Sequence, residues 1–128
     1  MQLRATLIFG SLSGMLAVML GAFGAHGLKD QLLSTGRLES FNLAVEYQFY
    51  HSLALLLTGI LMRLGATGQL SAAALGFAAG IVIFSGSLYS LSIFDVSWPG
   101  AITPIGGICF IAGWLALTLH FVKKIRPQ

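Results

Sequence analysis

Residues Ala5–Leu28 read ATLIFGSLSGMLAVMLGAFGAHGL, 24 consecutive positions without a charged side chain. About 20 apolar residues in a helix cross the hydrocarbon core of a bilayer, so this run alone is long enough to span one. Three further uncharged runs follow, Tyr47–Met62, Leu64–Phe94 and Val96–Val122, of 16, 31 and 27 residues. The shortest gains length from its Tyr- and Phe-rich flank. The pattern predicts an all-α integral membrane protein, a bundle of four transmembrane helices in a single domain over residues 1–128, with spans at about 5–25, 45–63, 70–94 and 101–122.

Composition agrees with that medium. The chain is 56% hydrophobic and 9% charged, with a mean hydropathy of +0.87, whereas soluble domains carry roughly a quarter charged residues. Continuously apolar runs exclude an outer-membrane barrel, whose short strands alternate apolar and polar positions. A cleaved signal peptide over the first 25 residues fits less well, because the apolar stretch is longer than a signal core and rich in glycine. The formal charge of +3 forms no dense basic patch, so no nucleic-acid partner is expected. The positives report orientation instead. Arg4, Arg63, Lys123, Lys124 and Arg126 share one side of a four-span chain, with only Lys29 and Arg37 opposite. By the positive-inside rule both termini face the cytoplasm.

Small residues recur at helical spacing. Gly10, Gly14 and Gly21 lie on one face of the first span, Gly76 and Gly80 on the third, and Gly106 and Gly113 on the fourth. Such faces let helix backbones approach closely, which in lipid replaces the missing hydrophobic drive. Between the first two spans, Leu38, Phe41, Val45, Phe49, Leu53, Leu56 and Ile60 recur every three or four residues. One helix is therefore expected from about Arg37 to Met62, with Glu39, Ser40, Glu46, Tyr47, Tyr50 and His51 on a second arc. Gly36 marks its start, and Leu28–Leu33 suit a short interfacial helix. Pro104 falls near the start of the fourth span, where it is tolerated at the first turn and kinks the helix if deeper.

Ionisable groups collect toward the outer edge. His26 ends the first span, Glu46 and His51 lie at and below the outer start of the second, and Asp95 follows the third. With Tyr47 and Tyr50 they form a candidate polar cluster, which Gln48, Ser85, Ser87 and Tyr89 could join. His120, beside Lys123 and Lys124, reads as an interfacial residue, and Cys109 as a packing residue without a disulfide partner. No HxxxH, HxxE or CxxC spacing preorganises a metal site, and no phosphate or dinucleotide loop is present, so neither metal nor cofactor is expected.

The stretches Gly21–Leu28 (GAFGAHGL), Val45–Leu55 (VEYQFYHSLAL), Phe84–Tyr89 (FSGSLY) and Ile102–Gly107 (ITPIGG), followed by Gly113-Trp114, resemble a family of small bacterial inner-membrane proteins of unknown function, domain-of-unknown-function family four-two-three. Its relatives include a small vertebrate mitochondrial transmembrane protein. The resemblance covers nearly the whole chain and implies a four-helix membrane protein. It supplies no activity and no catalytic residue. Three functions compete: a non-enzymatic membrane protein associating with itself or a membrane partner through its small-residue faces, a relay for a proton, ion or small solute through His26, Glu46, His51 and Asp95, and a carrier or enzyme for lipid, quinone or metal. Association ranks first, because no ionisable residue continues a relay through the inner half.

Overall fold

The computed structural model describes residues 1–65 and 68–124. Arg126 lies outside the described residues, as does the side chain of Lys124. The helices are α1 (Leu3–Ala25), α2 (Lys29–Ser34), α3 (Leu38–Arg63), α4 (Gln69–Ile93) and α5 (Thr103–Lys124). α4 carries a π-helical turn at Ile81–Ser85, and a 3₁₀ turn at Trp98–Ala101 precedes α5. No strand occurs among the described residues.

Local chemistry sets the boundaries. The Ser34 and Thr35 hydroxyls donate to the Gln31 carbonyl at 2.8 and 3.0 Å, closing α2, and Gly36 then takes φ 68°, a conformation that costs glycine little. Gly65, at φ 93°, ends α3 in the same way. Pro104 is the second residue of α5, where its missing N–H would have had no helical partner, so it starts the helix without kinking it.

α1 packs along α3, α4 packs along α5, and α3 also meets α4. Glycines make the close crossings. A Cβ at Gly10 would meet Leu55 and Leu56, one at Gly14 Ser52, and one at Gly21 Val45. On the other pair, a Cβ at Gly76 would stand 2.9 Å from the Cys109 carbonyl oxygen and from the Gly113 backbone. Gly80 seats Phe110, Gly113 seats Phe77, and Gly106 lies against the backbone of Phe84. All seven glycines singled out in the sequence are thus taken up by contacts within the chain.

The outward surface is apolar. Val18, Met19, Ile108 and Ile111 are 58–69% exposed, a distribution that water would punish and lipid tails accept. Among the described residues three helices are long and apolar enough to cross a membrane: α1, α4, and Trp98–Lys123, which takes in all but the last residue of α5. The expected second span, 45–63, departs from that standard. α3 has the length, 26 residues, but carries Glu39, Asn42, Glu46, Gln48, His51 and Ser52 in its first fifteen positions.

The expected apolar stripe of α3 also divides. Phe41 is buried, yet Leu53 and Ile60 are more than half exposed, while Gln48, His51, Ser52 and Thr58 are buried. Neither expected arc is the buried one: of the polar arc only His51 turns inward, while Glu39, Glu46, Tyr47 and Tyr50 stay exposed, because in lipid apolar side chains can face the solvent and polar ones seek partners inside.

Candidate functional site

Two polar arrangements lie inside the bundle. In the first, Gln48 joins three helices: its Nε2 donates to the Ser13 carbonyl of α1 at 3.0 Å, and its Oε1 accepts from the Tyr89 hydroxyl of α4 at 2.7 Å. Ser52 donates to the Gln48 carbonyl at 2.6 Å and lies 2.8 Å from the Ser13 hydroxyl. The Tyr89 ring meets the edge of Phe41 at 5.3 Å. Unpaired, these groups would be costly in hydrocarbon; paired, they fix the relative register of α1, α3 and α4.

The second arrangement centres on His51. Its Nδ1 donates to the Tyr47 carbonyl one turn back at 2.8 Å. Nε2 is left as an acceptor and receives the Trp114 indole N–H from α5 at 3.2 Å. That pair of bonds selects the neutral Nδ1–H tautomer, because a proton on Nε2 would face another donor. The imidazole also stacks on Phe110, with centroids 3.5 Å apart and planes 12° from parallel. Phe84 leaves the π-helical turn of α4 and stacks on Tyr47 at 4.8 Å. A π turn inserts one residue into a helix and re-aims its face; here it lays the Phe84 backbone on Gly106 and turns its ring to Tyr47.

Together these rings line a groove of about 520 Å³ bounded by Tyr47, Tyr50, His51, Phe84, Gly107, Phe110, Ile111 and Trp114. Ile111 is 69% and Tyr50 56% exposed, so the groove opens sideways toward lipid. Its wall is aromatic, and its polar atoms are those of His51, Trp114 and the tyrosines.

Of the expected outer cluster only Tyr47, Tyr50 and His51 come together, in this groove; His26, Glu46 and Asp95 do not join them. His26 is exposed at the end of α1, and the glycines around it seat rings instead: Gly24 faces Phe41 and Gly27 faces Phe23. Asp95 accepts from Arg37 Nε at 2.9 Å, beside a longer Arg37–Ser97 contact of 3.5 Å. Glu46 and Tyr50 are exposed on α3, and His51 turns inward to α5. His26, Glu46, His51 and Asp95 share no hydrogen bond or ion pair among the described residues. His120, read as interfacial, is buried against Phe121. Among the described residues no three His, Cys, Asp or Glu side chains gather as a metal site.

The Arg37–Asp95 pair is 25% and 51% exposed, and surface pairs contribute about 0–1 kcal/mol. Asp95→Asn keeps a residue tolerant of the observed φ of 51°. Thermal unfolding in detergent is expected to shift by less than about 1 kcal/mol, with the difference shrinking at high salt.

Sequence reasoning had missed Ser13, Phe84, Phe110 and Trp114. A signal for Trp114 was present: it lies midway along α5, away from the interface where tryptophan usually sits, and a mid-span indole N–H needs an acceptor.

The family profile described as "Protein of unknown function (DUF423)" matches residues 20–107, from the end of α1 to the start of α5. The chain belongs to this family. Among similar proteins, the UPF0382 membrane protein YwdK of Bacillus subtilis is 41% identical over 124 residues, covering 96% of this chain and 100% of its own. A UPF0382 membrane protein of Staphylococcus epidermidis is 46% identical, over 94% of this chain and 98% of its own. The UPF0382 inner membrane protein YgdD of Escherichia coli K12 is 34% identical, over 98% and 95%. No solved structure matches significantly. The chain is thus an all-helical membrane protein of a family without an assigned activity. The matched residues include His26, Glu46, His51 and Tyr89 but stop before Phe110 and Trp114.

Proposed function

We propose a four-span protein of the bacterial inner membrane, with both termini in the cytoplasm, that acts without catalysis by holding a planar, membrane-soluble molecule against His51. The orientation draws support from the ends of the bundle. The Met1 amino group bonds the Ser71 carbonyl at 3.1 Å, so the starts of α1 and α4 share an end with Arg63. By sequence the other end carries only Lys29 and Arg37, against Arg4, Arg63, Lys123, Lys124 and Arg126 on the first, so the Lys/Arg excess falls on the proposed cytoplasmic side.

One observation carries the binding reading: an imidazole pinned by Tyr47 and Trp114 at the base of a lipid-facing aromatic groove. Its volume lies within the roughly 300–1,000 Å³ of small-molecule sites. Aromatic walls suit a flat ring by offset stacking; with His51 and Trp114 bonded to each other, the Tyr47 and Tyr50 hydroxyls are the groups that donate to and accept from ring substituents. An isoprenoid quinone has this chemistry. Association with a second copy or a membrane partner would use the outer apolar faces, because the small-residue faces are occupied within the chain.

Gly107 provides the test. A Cβ there meets nothing within 4 Å, yet the residue lines the groove. Gly107→Leu is expected to fold normally while filling the site. Organic extracts of wild-type protein purified in mild detergent should contain a planar lipid at near-stoichiometric amount, and the variant should lose at least about 90% of it, which from near-full occupancy takes a change of roughly 2.7 kcal/mol, about a hundredfold in affinity. A wild type without such a ligand, or a variant retaining it fully, contradicts the reading.

A further inference from the structure

A second groove, of about 450 Å³, runs between α1 and α3 on the other side of Tyr50. Ala17, Gly21 and Ala22 form its floor, Val45 and Phe49 its wall, and Glu46 lies at its edge. We propose that this groove seats an acyl chain of a phospholipid with a primary ammonium headgroup, phosphatidylethanolamine, and that the Glu46 carboxylate receives the ammonium. This site is separate from the His51 groove and does not depend on the binding reading given to it.

Position is the first argument. α3 spans about 39 Å, longer than the roughly 30 Å hydrocarbon core. With Arg63 at one boundary, the opposite boundary falls near Leu43, and Glu46 stands about 5 Å inside it. A carboxylate at that depth reaches the headgroup layer by extending its side chain, while the groove below it is bathed in acyl chains.

Charge is the second. Glu46 makes no hydrogen bond or ion pair among the described residues, whereas Arg37, a cation of the same end, is committed to Asp95 and Ser97. A carboxylate facing lipid needs a partner, and the surrounding membrane can supply one. A primary ammonium offers three N–H donors to the carboxylate. The quaternary ammonium of phosphatidylcholine offers none, and phosphatidylglycerol brings a like charge. The small floor residues let a chain lie close to the α1 backbone, which gains dispersion contact along its length.

The full chain, exposed in detergent to an equimolar mixture of phosphatidylethanolamine, phosphatidylcholine and phosphatidylglycerol with identical acyl chains, is examined by native mass spectrometry for retained lipid. Wild type is expected to retain phosphatidylethanolamine several-fold over the other two. Glu46→Gln should bring the ratio close to one, whereas Glu39→Gln, outside the groove, should leave it unchanged. Ala22→Phe should reduce retention of all three at unchanged helicity. No preference in wild type, a preference surviving Glu46→Gln, or equal loss in Glu39→Gln overturns the proposal. So does a dimer that Ala22→Phe converts to monomer without altering lipid retention, since a second copy would then occupy the groove.

Discussion

Gly106→Leu is expected to abolish the folded bundle, while Gly107→Leu, one residue along, leaves it intact. A Cβ at Gly106 would stand 2.7 Å from Phe84 Cα and Cβ and overlap its backbone nitrogen, whereas Gly107 has open space. The neighbour at Gly106 is mainly backbone within a π-helical turn, so it cannot rotate away as a side-chain tip would. Even Gly106→Ala should cost about 1–3 kcal/mol through overpacking; the leucine pushes α4 and α5 apart along the aromatic groove. Unfolding in bicelles, followed by circular dichroism, checks this contrast. Equal stability of the Gly106 and Gly107 leucine variants would contradict the α4–α5 crossing described above.

Removing the three-helix bridge has the second largest expected effect. Gln48→Leu deletes the bonds to Ser13 and Tyr89 and leaves the Tyr89 hydroxyl without its partner. Interhelical hydrogen bonds in membranes are worth about 0.6–2 kcal/mol each, so a loss of about 1–3 kcal/mol is expected. Tyr89→Phe removes only the shared bond. The double variant should therefore be less destabilised than the sum of the single variants, with a coupling energy of about 0.5–2 kcal/mol. Additive losses would mean that Gln48 and Tyr89 act independently.

The helical class, the continuity of α3 and the close-packing glycines were legible because they depend on local spacing and on the length of uncharged runs. Gly10 and Gly76 announce a close approach, since few other roles suit glycine in mid-helix. Their partners were not legible: nothing near Gly106 in sequence identifies Phe84, because the π-helical turn shifts the facing register of α4. That His26, Glu46 and Asp95 do not join His51 has a related reason. His26, Glu46, His51 and Asp95 were grouped by depth, but depth leaves azimuth open. On α3, Glu46 and His51 are five residues apart, about 140° around the axis, so one looks to lipid beside α1 and the other inward to α5. Gln48 was read among the cluster's neighbours, yet its partner Ser13 is one of two serines in α1, with no local mark to tell it from Ser11. Trp114 was the readable exception, a mid-span indole requiring an acceptor, with His51 the mid-span acceptor available.

The path of α3 across the bilayer is tested most directly by cysteine accessibility. In a Cys109→Ala background, single cysteines replace Lys29, Arg63, Ser97 and Lys123, and intact cells are treated with a membrane-impermeant thiol reagent before and after permeabilisation. The expected result is labelling of Lys29→Cys and Ser97→Cys in intact cells, and of Arg63→Cys and Lys123→Cys only once the membrane is opened. Labelling of Lys29→Cys and Arg63→Cys from the same side would mean that α3 does not cross, and would contradict the four-span bundle.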